Sequence, residues 1–477
     1  MRTLSLSRLL GVALPLLMLA LAAAAPPVHD VTLTVGYGIQ TYTSGPSLPT
    51  SLAAGPDDWI YVSQLTGTIK AIKDTTGDGL ADTTVTFATG YSWTLGIAFH
   101  KGWLYLSKAG RLIRLKDTNG DHVADVADSL FNGLPTGQHQ NNGIAFRADT
   151  LYVTVGSDQN IGTPGHPWSA TILRFTETGS FIDVFAEGIR NPYDLAFHGN
   201  GSLFAPDNGP TGDPSFECYE PPDELNWIRQ GLDYGFPECN AFGHCADVKA
   251  YCNPQPCGNH DCEWGTGCDG STEDPLHVFD PHSAPTGLAF GDGSPGFGVN
   301  ELFVCLYGQD VYVAGCPTNF GHELHRVTLQ WTGTEWSVLA DDLFVDGLAS
   351  PVDVLMGPDE SLYILDFGDG NLYKLKKATG VGVDLPAEPA APRPRLAIAP
   401  NPAYGPARLH WLNDTEHTPK LTVIDVAGNL VRTLPAAAGE AVWDLRDDRG
   451  VRVRAGIYVV RAETPDGVVA AKLTVLD

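Results

Sequence analysis

The sequence predicts an all-β protein, a six-bladed β-propeller followed by a small immunoglobulin-like β-sandwich. Its 477 residues include 53 Gly and 35 Pro, and only 18% are charged, which favours short strands and turns over helices. An apolar strand–turn–strand pattern recurs six times along the first part of the chain. A Pro/Ala-rich stretch then separates it from a shorter alternating region, and the chain is long enough for two domains.

The N-terminus and the charge define the expected compartment and partners. Arg2 and Arg8 precede an apolar run from Leu9 to Leu21 and a short run of alanines. This order predicts a signal peptide over residues 1–25, and hence a secreted protein in the periplasm, outside the cell or on its surface. No later stretch has the length of a transmembrane segment. The formal net charge of −27 argues against nucleic-acid binding, which requires a basic surface.

Six related segments lead to the propeller. Each joins a small apolar strand to an aromatic one through a Gly, Asp or Asn turn, as in GIAFHKGWLYLS and GIAFRADTLYVT. Alternating apolar residues indicate antiparallel strands. A single small sheet cannot bury both of its faces, but six sheets around an axis can. We therefore predict a propeller over residues 28–378, with segments that begin at Ser51, Gly96, Gly143, Asp194, Gly287 and Asp353.

The cysteines cluster in one part of the predicted propeller. Seven of the nine lie between Cys218 and Cys268, mostly in an insert that we place at residues 236–275. In an oxidising compartment this spacing predicts disulfides, and the lack of CxxC pairs fits structural zinc poorly. An odd total leaves one thiol free or paired with another molecule. We expect the insert to cover the pocket and to influence substrate choice.

The composition changes after Lys377. A Pro/Ala-rich linker over residues 379–395 precedes short alternating strands, which predict a sandwich over residues 396–477. The pieces APNPA, DVAGNLVRTL and AGIYVVR resemble the immunoglobulin-like C-terminal modules of secreted bacterial proteins, including type IX secretion sorting domains. The resemblance implies contact with secretion machinery or attachment to the cell surface. A carbohydrate- or partner-binding sandwich is the alternative.

Two matching acidic segments, DTTGDGLAD and DTNGDHVAD, predict metal sites. Each places oxygen-bearing side chains at relative positions one, three, five and nine, where they can converge on a hard cation such as Ca²⁺. An acidic turn without an ion is the alternative. We predict structural calcium in at least one copy. The candidate ligands are Asp74, Thr76, Asp78 and Asp82 in the first, and Asp117, Asn119, Asp121 and Asp125 in the second.

The most specific motifs lie in the middle of the predicted propeller. FAEGIRNPYDLAF, DELN and DYGFP follow one another, with HQNNGIAFRADTLYVTVGS before them and HSAPTGLAF after them. Through these motifs the chain resembles the soluble quinoprotein glucose dehydrogenase and sorbosone dehydrogenase family. These six-bladed propellers oxidise sugars with pyrroloquinoline quinone (PQQ), and the resemblance spans Gly36 to Lys377. It implies a PQQ- and calcium-dependent dehydrogenase of aldose or sorbosone-type sugars that passes electrons to a redox acceptor.

The resemblance also implies a role for individual residues. His139 would be the base that takes the hydroxyl proton while hydride leaves for the quinone. Arg190 would stabilise charge on the reduced cofactor and, with Asn191, would contact it. The backbone carbonyls of Gly209 and Pro210 would help to hold the Ca²⁺ that polarises the cofactor.

Two other functions stay open at the level of the sequence. PQQ carries three carboxylates, and between Gly287 and Leu375 the chain offers only Arg326 and Lys374 as cations. A non-catalytic propeller that binds a glycan or a protein, and has lost the cofactor, is therefore the main alternative. A calcium-dependent lactonase is a further one, and it requires acidic ligands that converge on the propeller axis.

Overall fold

The computed structural model describes most of the propeller and the strands of the C-terminal region. Within this part the protein is an all-β, six-bladed propeller, as the sequence predicts, and Pro56–Asp58 form a short 3-10 helix. In the described residues no helix is long and apolar enough to span a bilayer. The described ranges are 31–160, 162–210, 222–237, 272–280, 283–308, 321–378, 395–399, 405–412, 420–425, 430–435, 440–454, 456–464 and 467–475.

Three predictions fall largely outside these ranges. They are the signal peptide, the linker and the Cys-rich insert, with the disulfides expected in it. Cys305 is described, and it is a buried free thiol. Burial raises the pKa of this thiol well above its usual value, so it behaves as a small apolar side chain of the core.

The first four blades follow one another along the chain after two strands that join later sheets, β1 (Thr32–Leu33) and β2 (Tyr37–Ser44). In each of these blades the strands pair antiparallel in chain order, from the axis outward. Blade 1 has β3 (Pro49–Ala54), β4 (Ile60–Gln64), β5 (Ile69–Lys73) and β6 (Thr83–Ala88); blade 2 has β7 (Thr94–His100), β8 (Trp103–Lys108), β9 (Arg111–Lys116) and β10 (Val126–Asn132). Blade 3 has β11 (Asn141–Arg147), β12 (Thr150–Val155), β13 (Thr171–Thr176) and β14 (Phe181–Glu187); blade 4 has β15 (Ala196–Phe197), β16 (Leu203–Asp207), β17 (Asp223–Ile228) and β18 (His277–Phe279).

The last two blades use the two N-terminal strands. Blade 5 has β19 (Pro285–Phe290), β20 (Glu301–Leu306), β21 (Glu323–Trp331) and β22 (Trp336–Asp346), with β1 added at its outer edge. Blade 6 has β23 (Pro351–Met356), β24 (Leu362–Asp366) and β25 (Asn371–Lys377), and β2 is its fourth strand. Tyr37 of β2 lies opposite Lys377 of β25, so the start of the propeller closes the ring on its end.

One inner-strand position is shared by the six blades, and it holds either a very small residue or a carboxylate. A Cβ on Gly143 would come within 2.4 Å of Asp194 Oδ1, and one on Gly287 within 2.4 Å of Asp353 Oδ1. Glycine in one blade therefore makes room for aspartate in the next. Asp353 also accepts the backbone N–H of Leu52 at 2.6 Å, which ties blade 6 to blade 1.

The alternation of strands gives the propeller two ends. We call one end the upper face. It carries the loops that enter the inner strands, such as 89–93, 133–140 and 188–195, and the turns between second and third strands, such as 109–110. The lower face carries the turns between first and second and between third and fourth strands. The two strands that a loop joins therefore determine the face on which its residues lie.

The C-terminal region has two sheets that share one core. Three strands form one sheet and four form the other, and Trp443 and Leu409 pack with Val460 and Leu421 across them. Its likeness to an immunoglobulin-like sorting module stays a prediction. The strands are β26 (Arg395–Ala399), β27 (Ala407–Leu412), β28 (Lys420–Asp425), β29 (Leu430–Leu434), β30 (Glu440–Trp443), β31 (Gly456–Thr464) and β32 (Gly467–Val475).

Candidate functional site

His139 lies at the upper face, in the loop that enters β11. Its backbone N–H donates to the carbonyl of Ser157 at 3.0 Å, which holds the loop against the turn after β12. The ring Nε2 is buried and has no hydrogen-bond partner among the described residues. Burial, and then the positive charge of Arg190, lower the pKa of His139 to about 3. The imidazole is therefore neutral at physiological pH.

Arg190 lies in the loop between β14 and β15 and is 2% exposed. Its guanidinium donates from Nε to Asn160 O at 2.9 Å and from Nη2 to Asn160 Oδ1 at 2.5 Å. A third bond runs from Nη1 to Asn208 O at 2.8 Å. Burial lowers the pKa of Arg190, while the charges of Asp207 and Asp223 oppose that effect. Three acceptors thus fix the direction of a buried cation.

Asp207, at the end of β16, anchors the backbone around Arg190. Its Oδ2 accepts the N–H of Arg190 at 2.8 Å, and its Oδ1 accepts the N–H of Asn191 at 2.6 Å. Burial, and then the neighbouring Glu224, raise the pKa of Asp207 well above its usual value. Asp366, at the end of β24, anchors the corresponding backbone in blade 6, because it accepts the N–H of Ser350 at 2.9 Å.

Ser157 joins the two halves of the site. Its N–H donates to the carbonyl of Arg190 at 2.6 Å, and its own carbonyl accepts the N–H of His139. The next residue, Asp158, accepts the N–H of Gly165 and the hydroxyl of Ser169, both at 3.0 Å. Asp158 therefore braces the turn after β12. The structure brings together His139 and Arg190, which lie far apart in the chain.

Two asparagines near Arg190 differ in whether their side-chain oxygen has a hydrogen-bond partner. Asn191 is tied to the inner strand of blade 3, because its Oδ1 accepts from Asn142 Nδ2 at 3.0 Å. Asn208 Oδ1 is buried and, within the described part of the chain, has no partner. This atom and Nε2 of His139 are two buried polar atoms that a polar ligand would satisfy.

Gly209 and Pro210 follow Asn208 at the upper face. The N–H of Gly209 donates to Asp223 Oδ1 at 2.8 Å, and Asp223 Oδ2 accepts the N–H of Ala284 at 2.8 Å. Burial raises the pKa of Asp223 to about 6, although these backbone donors oppose the rise. Asp223 thus fixes the Gly209 segment to the loop that enters blade 5, and it acts as a brace.

The two acidic segments lie at the lower face, away from His139 and Arg190, because each joins the third and fourth strands of its blade. Asp74 Oδ1 accepts the N–H of Gly77 at 2.6 Å, and Asp117 Oδ1 accepts that of Gly120 at 2.7 Å. Burial raises the pKa of both carboxyls, but backbone N–H donors outweigh it and the net pKa is lowered. Both groups stay ionised at neutral pH.

The other predicted ligands in these segments are also engaged with the loop itself. Among the described residues, neither loop gathers three acidic side chains close enough to share one ion. Calcium binding at this face therefore stays a prediction. Asp82 accepts hydrogen bonds from Thr75 and Thr76, and Thr76 also donates to Asp74. In the same way Asp78 accepts from Leu80, Asp125 from Thr118, Asn119 from Asp121, and Asp121 from Val123.

A separate group of three metal-type ligands also lies at the lower face. His100, Asp149 and Glu177 place ligand atoms near one point. Lys101 occupies that point, because its Nζ lies 2.5 Å from Asp149 Oδ1 and 2.8 Å from Glu177 Oε2. The ammonium already neutralises the carboxylates, so the group is an ion-pair network between blades 2 and 3.

The two late cations lie away from the site. Arg326 is on β21, where it pairs with Asp342 at 3.1 Å and with Glu301 at 3.5 Å. Lys374 is on β25, and its Nζ lies 2.7 Å from Asp359 Oδ2. Both are therefore committed to ion pairs within their own blades. Neither contributes to the group around Arg190.

Sequence reasoning missed Asn160, Asp207 and Asn208, which orient Arg190. Asp207 had a detectable signal, because it ends an apolar second strand in LFAPD as Asp366 does in LYILD. A comparison of the repeats would have identified both as equivalent. Asn160 lies in a turn with no counterpart in the other repeats, and nothing in its surroundings distinguishes it.

The described site thus defines a class: a six-bladed propeller with a buried, neutral histidine beside a buried arginine at one end of its axis. Comparisons with known proteins agree with the propeller fold of this class. A family model described as a domain of unknown function, DUF7133, matches residues 56–216. The chain is similar to quinoprotein glucose dehydrogenase B of Acinetobacter calcoaceticus, with 26% identity over 270 residues, which cover 44% of this chain. The match covers 54% of that relative, so the chain spans about half of its length.

Solved structures agree on the fold. The PQQ domain of pyranose dehydrogenase from Coprinopsis cinerea, in its holo form, superposes with a TM-score of 0.62 at 15% identity, over 74% of this chain and 98% of that one. The PQQ-bound aldose sugar dehydrogenase from Streptomyces coelicolor superposes with a TM-score of 0.52 at 21% identity, over 74% of this chain and 99% of that one. The chain is thus similar to PQQ-dependent sugar dehydrogenases, whose propeller fold it shares.

Proposed function

We propose that the protein is a secreted, PQQ- and calcium-dependent dehydrogenase of aldose or sorbosone-type sugars. One observation supports this above the others: the buried Nε2 of His139 is unpaired within the described residues and lies in the same hydrogen-bonded unit as Arg190. A neutral, buried imidazole nitrogen without a partner among the described residues is suited to accept a proton from a sugar hydroxyl. The similarity to quinoprotein glucose dehydrogenase B supports the same class of reaction.

The residues fit the quinone end of PQQ. When bound, this cofactor supplies the group that accepts hydride from the substrate carbon. Arg190 would hold a fixed positive charge at that end, and Asn191 and Asn208 would offer polar contacts. His139 would take the hydroxyl proton at Nε2. Negative charge that develops nearby would offset the effect of Arg190 and make His139 a stronger base.

A calcium ion would be held beside this group by the carbonyls of Gly209 and Pro210. The support for this proposal is the Asp223 brace, which fixes the Gly209 backbone before any ion binds. The electrons would pass to an external acceptor. Export would follow from the N-terminal signal peptide, and the C-terminal module would act in secretion or surface attachment.

Reconstitution tests the proposal. Full-length protein without cofactor is mixed with PQQ and Ca²⁺, then assayed with a panel of aldoses and a redox dye. We expect dye reduction that depends on both additions and falls at least about a hundredfold in His139→Ala. His198→Ala is the matched control, because His198 is a half-buried histidine at the lower face. Absence of both cofactor binding and dye reduction would refute the proposal.

A non-catalytic propeller that binds a glycan is the second candidate. The commitment of Arg326 and Lys374 to ion pairs favours it, since it leaves the three carboxylates of PQQ without late cations. The same experiment separates the two. Sugar binding without PQQ binding would support this candidate, whereas PQQ-dependent dye reduction would exclude it.

A further inference from the structure

An exposed tryptophan stands at the upper face beside the strands of blade 2. Trp93 lies directly before β7, is 47% exposed and has a left-handed backbone conformation, with φ of 61°. Leu48 and Ala284 adopt the same conformation before the inner strands of blades 1 and 5, with φ of 50° and 51°. Three of the six blades therefore share this backbone shape. The large accessible ring is what blade 2 adds to it.

Two cations lie next to the backbone of this segment. Lys108 ends β8 and its Nζ donates to the carbonyl of Ser92 at 2.7 Å, while the N–H of Ala109 donates to the carbonyl of Trp93 at 3.0 Å. Arg111 begins β9 directly across from Lys108 and is exposed. Trp93, Lys108 and Arg111 therefore form one patch.

The charge of this patch is not compensated by acids of the described residues. Lys101, Arg114 and Arg174 in blades 2 and 3 each pair with a carboxylate. Within the described residues Lys108 and Arg111 have no such partner, and burial and then Arg111 lower the pKa of Lys108. In a chain with a net charge of −27, two adjacent unpaired cations attract an anionic ligand.

The patch is fixed to the segment that carries His139. Asn141 is fully buried two residues after His139, and its Nδ2 donates to the carbonyls of Lys108 at 3.0 Å and Arg111 at 3.4 Å. Its Oδ1 accepts the N–H of Gly110 at 2.8 Å. One buried side chain thus ties the backbone of both cationic residues to the segment that carries the predicted base.

We propose that Trp93, Lys108 and Arg111 form a subsite for a uronic acid unit of an acidic oligosaccharide, next to the reaction site. The proposal rests on the proposed sugar dehydrogenase and names its substrate class. An aromatic face packs on the C–H face of a sugar ring, and a cation pair binds the carboxylate on that ring. Cofactor carboxylates share the anionic chemistry, so the test distinguishes them from the sugar.

Isothermal titration of the full-length chain without cofactor tests the subsite. The probes are trigalacturonic acid and the neutral maltotriose. We expect the acidic trisaccharide to bind at least about tenfold more tightly than the neutral one. This is the gain expected from one modest ionic contact. Because this binding is measured without turnover, its failure is separate from failure of the dehydrogenase proposal.

Variants assign the preference to the patch. Lys108→Met and Arg111→Gln should each reduce the preference for the acidic sugar several-fold, whereas Trp93→Ala should weaken both sugars alike. Lys116→Met is the control, because Lys116 lies over the ring of Trp103 on the outer part of the same blade. Equal binding of the two sugars, or a preference that survives in Lys108→Met and Arg111→Gln, would overturn the proposal. So would loss of PQQ affinity in these variants with the sugar preference intact, which would assign the cations to the cofactor.

Discussion

Gly156 is packed against His139 so closely that no side chain fits between them. A Cβ on Gly156 would lie 2.6 Å from the Cβ of His139 and 2.9 Å from Asn191 Oδ1. Real contacts between such atoms are longer, so one of the three residues would have to move. The glycine directly after β12 therefore sets the separation between the predicted base and the loop that carries Arg190.

The Gly156→Ala variant is the first prediction. The added methyl group should displace His139 or Asn191 by several tenths of an ångström, and such misplacement should lower kcat by about a hundredfold. Overpacking should cost about 1–3 kcal/mol of stability, which leaves the propeller folded. Steady-state kinetics of the reconstituted enzyme and a thermal melt measure both effects.

Gly199→Ala is the control for this substitution. Gly199 lies at the lower face, and a Cβ there would meet nothing within 4 Å. We expect it to leave kcat unchanged. Wild-type kcat in Gly156→Ala, with the variant fully folded, would show that the close contact does not position the site.

The second prediction concerns the protonation of His139. Its pKa of about 3 lies below the value of about 6.5 in an unfolded chain, so the ring should stay neutral from pH 8 down to about pH 5. Nitrogen NMR of labelled histidines, with the signal assigned by its absence in His139→Gln, measures this directly. The same signal should titrate near pH 6.5 in denaturant. A native midpoint near 6.5 would contradict the burial that the structure assigns to Nε2.

This shift also has a consequence for stability with a defined sign. Because the unfolded chain binds a proton at His139 more readily, the free energy of unfolding should fall as the pH drops from about 6.5 towards 3. The contribution of this residue is therefore complete above pH 6.5. Loss of stability on acidification should be smaller in His139→Gln than in the wild type.

The sequence predicted the propeller well because its information is local and repeated. Each blade begins with a recognisable inner strand, and the six copies leave few other ways to bury their apolar faces. The pairing of β2 with blade 6 carries no comparable signal. Tyr37 and Lys377 meet only because the ring closes, and closure is a property of the whole domain.

The site was predictable only in part, for a related reason. His139 and Arg190 were found through motifs, and the structure brings them together through Ser157. The contacts that shape the site join residues far apart in the chain, such as Asn160 with Arg190 and Asp223 with Ala284. Such pairs depend on which turns meet at the upper face. The shared inner-strand position, where Asp194 of one blade lies against Gly143 of the previous one, depends on the distance between blades in the same way.

Calcium at the lower face is the third prediction. Asp74 and Asp117 stay ionised, and each loop contacts the preceding blade, as Ala124 N–H does by donating to Phe87 O at 2.9 Å. We expect chelation of Ca²⁺ to lower the Tm, and the Asp82→Asn, Asp125→Asn double variant to reduce that effect. Differential scanning calorimetry with and without chelator measures it. A Tm that is the same in both conditions would leave the loops as acidic turns that stabilise the blades without an ion.

The fourth prediction is a loss of stability at alkaline pH through His325. This residue on β21 lies between Asp341, with Nδ1 to Oδ1 at 2.7 Å, and Glu323, with Nε2 to Oε2 at 3.0 Å. Asp341 also accepts from His277 Nε2 of blade 4 at 2.9 Å, so the group joins two blades. Burial lowers the pKa of His325, but the two carboxylates outweigh it and raise the pKa to about 9.

A raised pKa means that the folded chain holds this proton more tightly than the unfolded one. The resulting stability is complete below the unfolded value of about 6.5 and is lost as the pH rises through about 9, with a total of about 3 kcal/mol. Urea unfolding of the propeller at pH 6 and at pH 9.5 should therefore differ by most of this amount. In His325→Gln the difference should nearly vanish, whereas in His198→Gln it should persist. An equal pH dependence in the wild type and in His325→Gln would show that the proton on His325 does not stabilise the contact between blades 4 and 5.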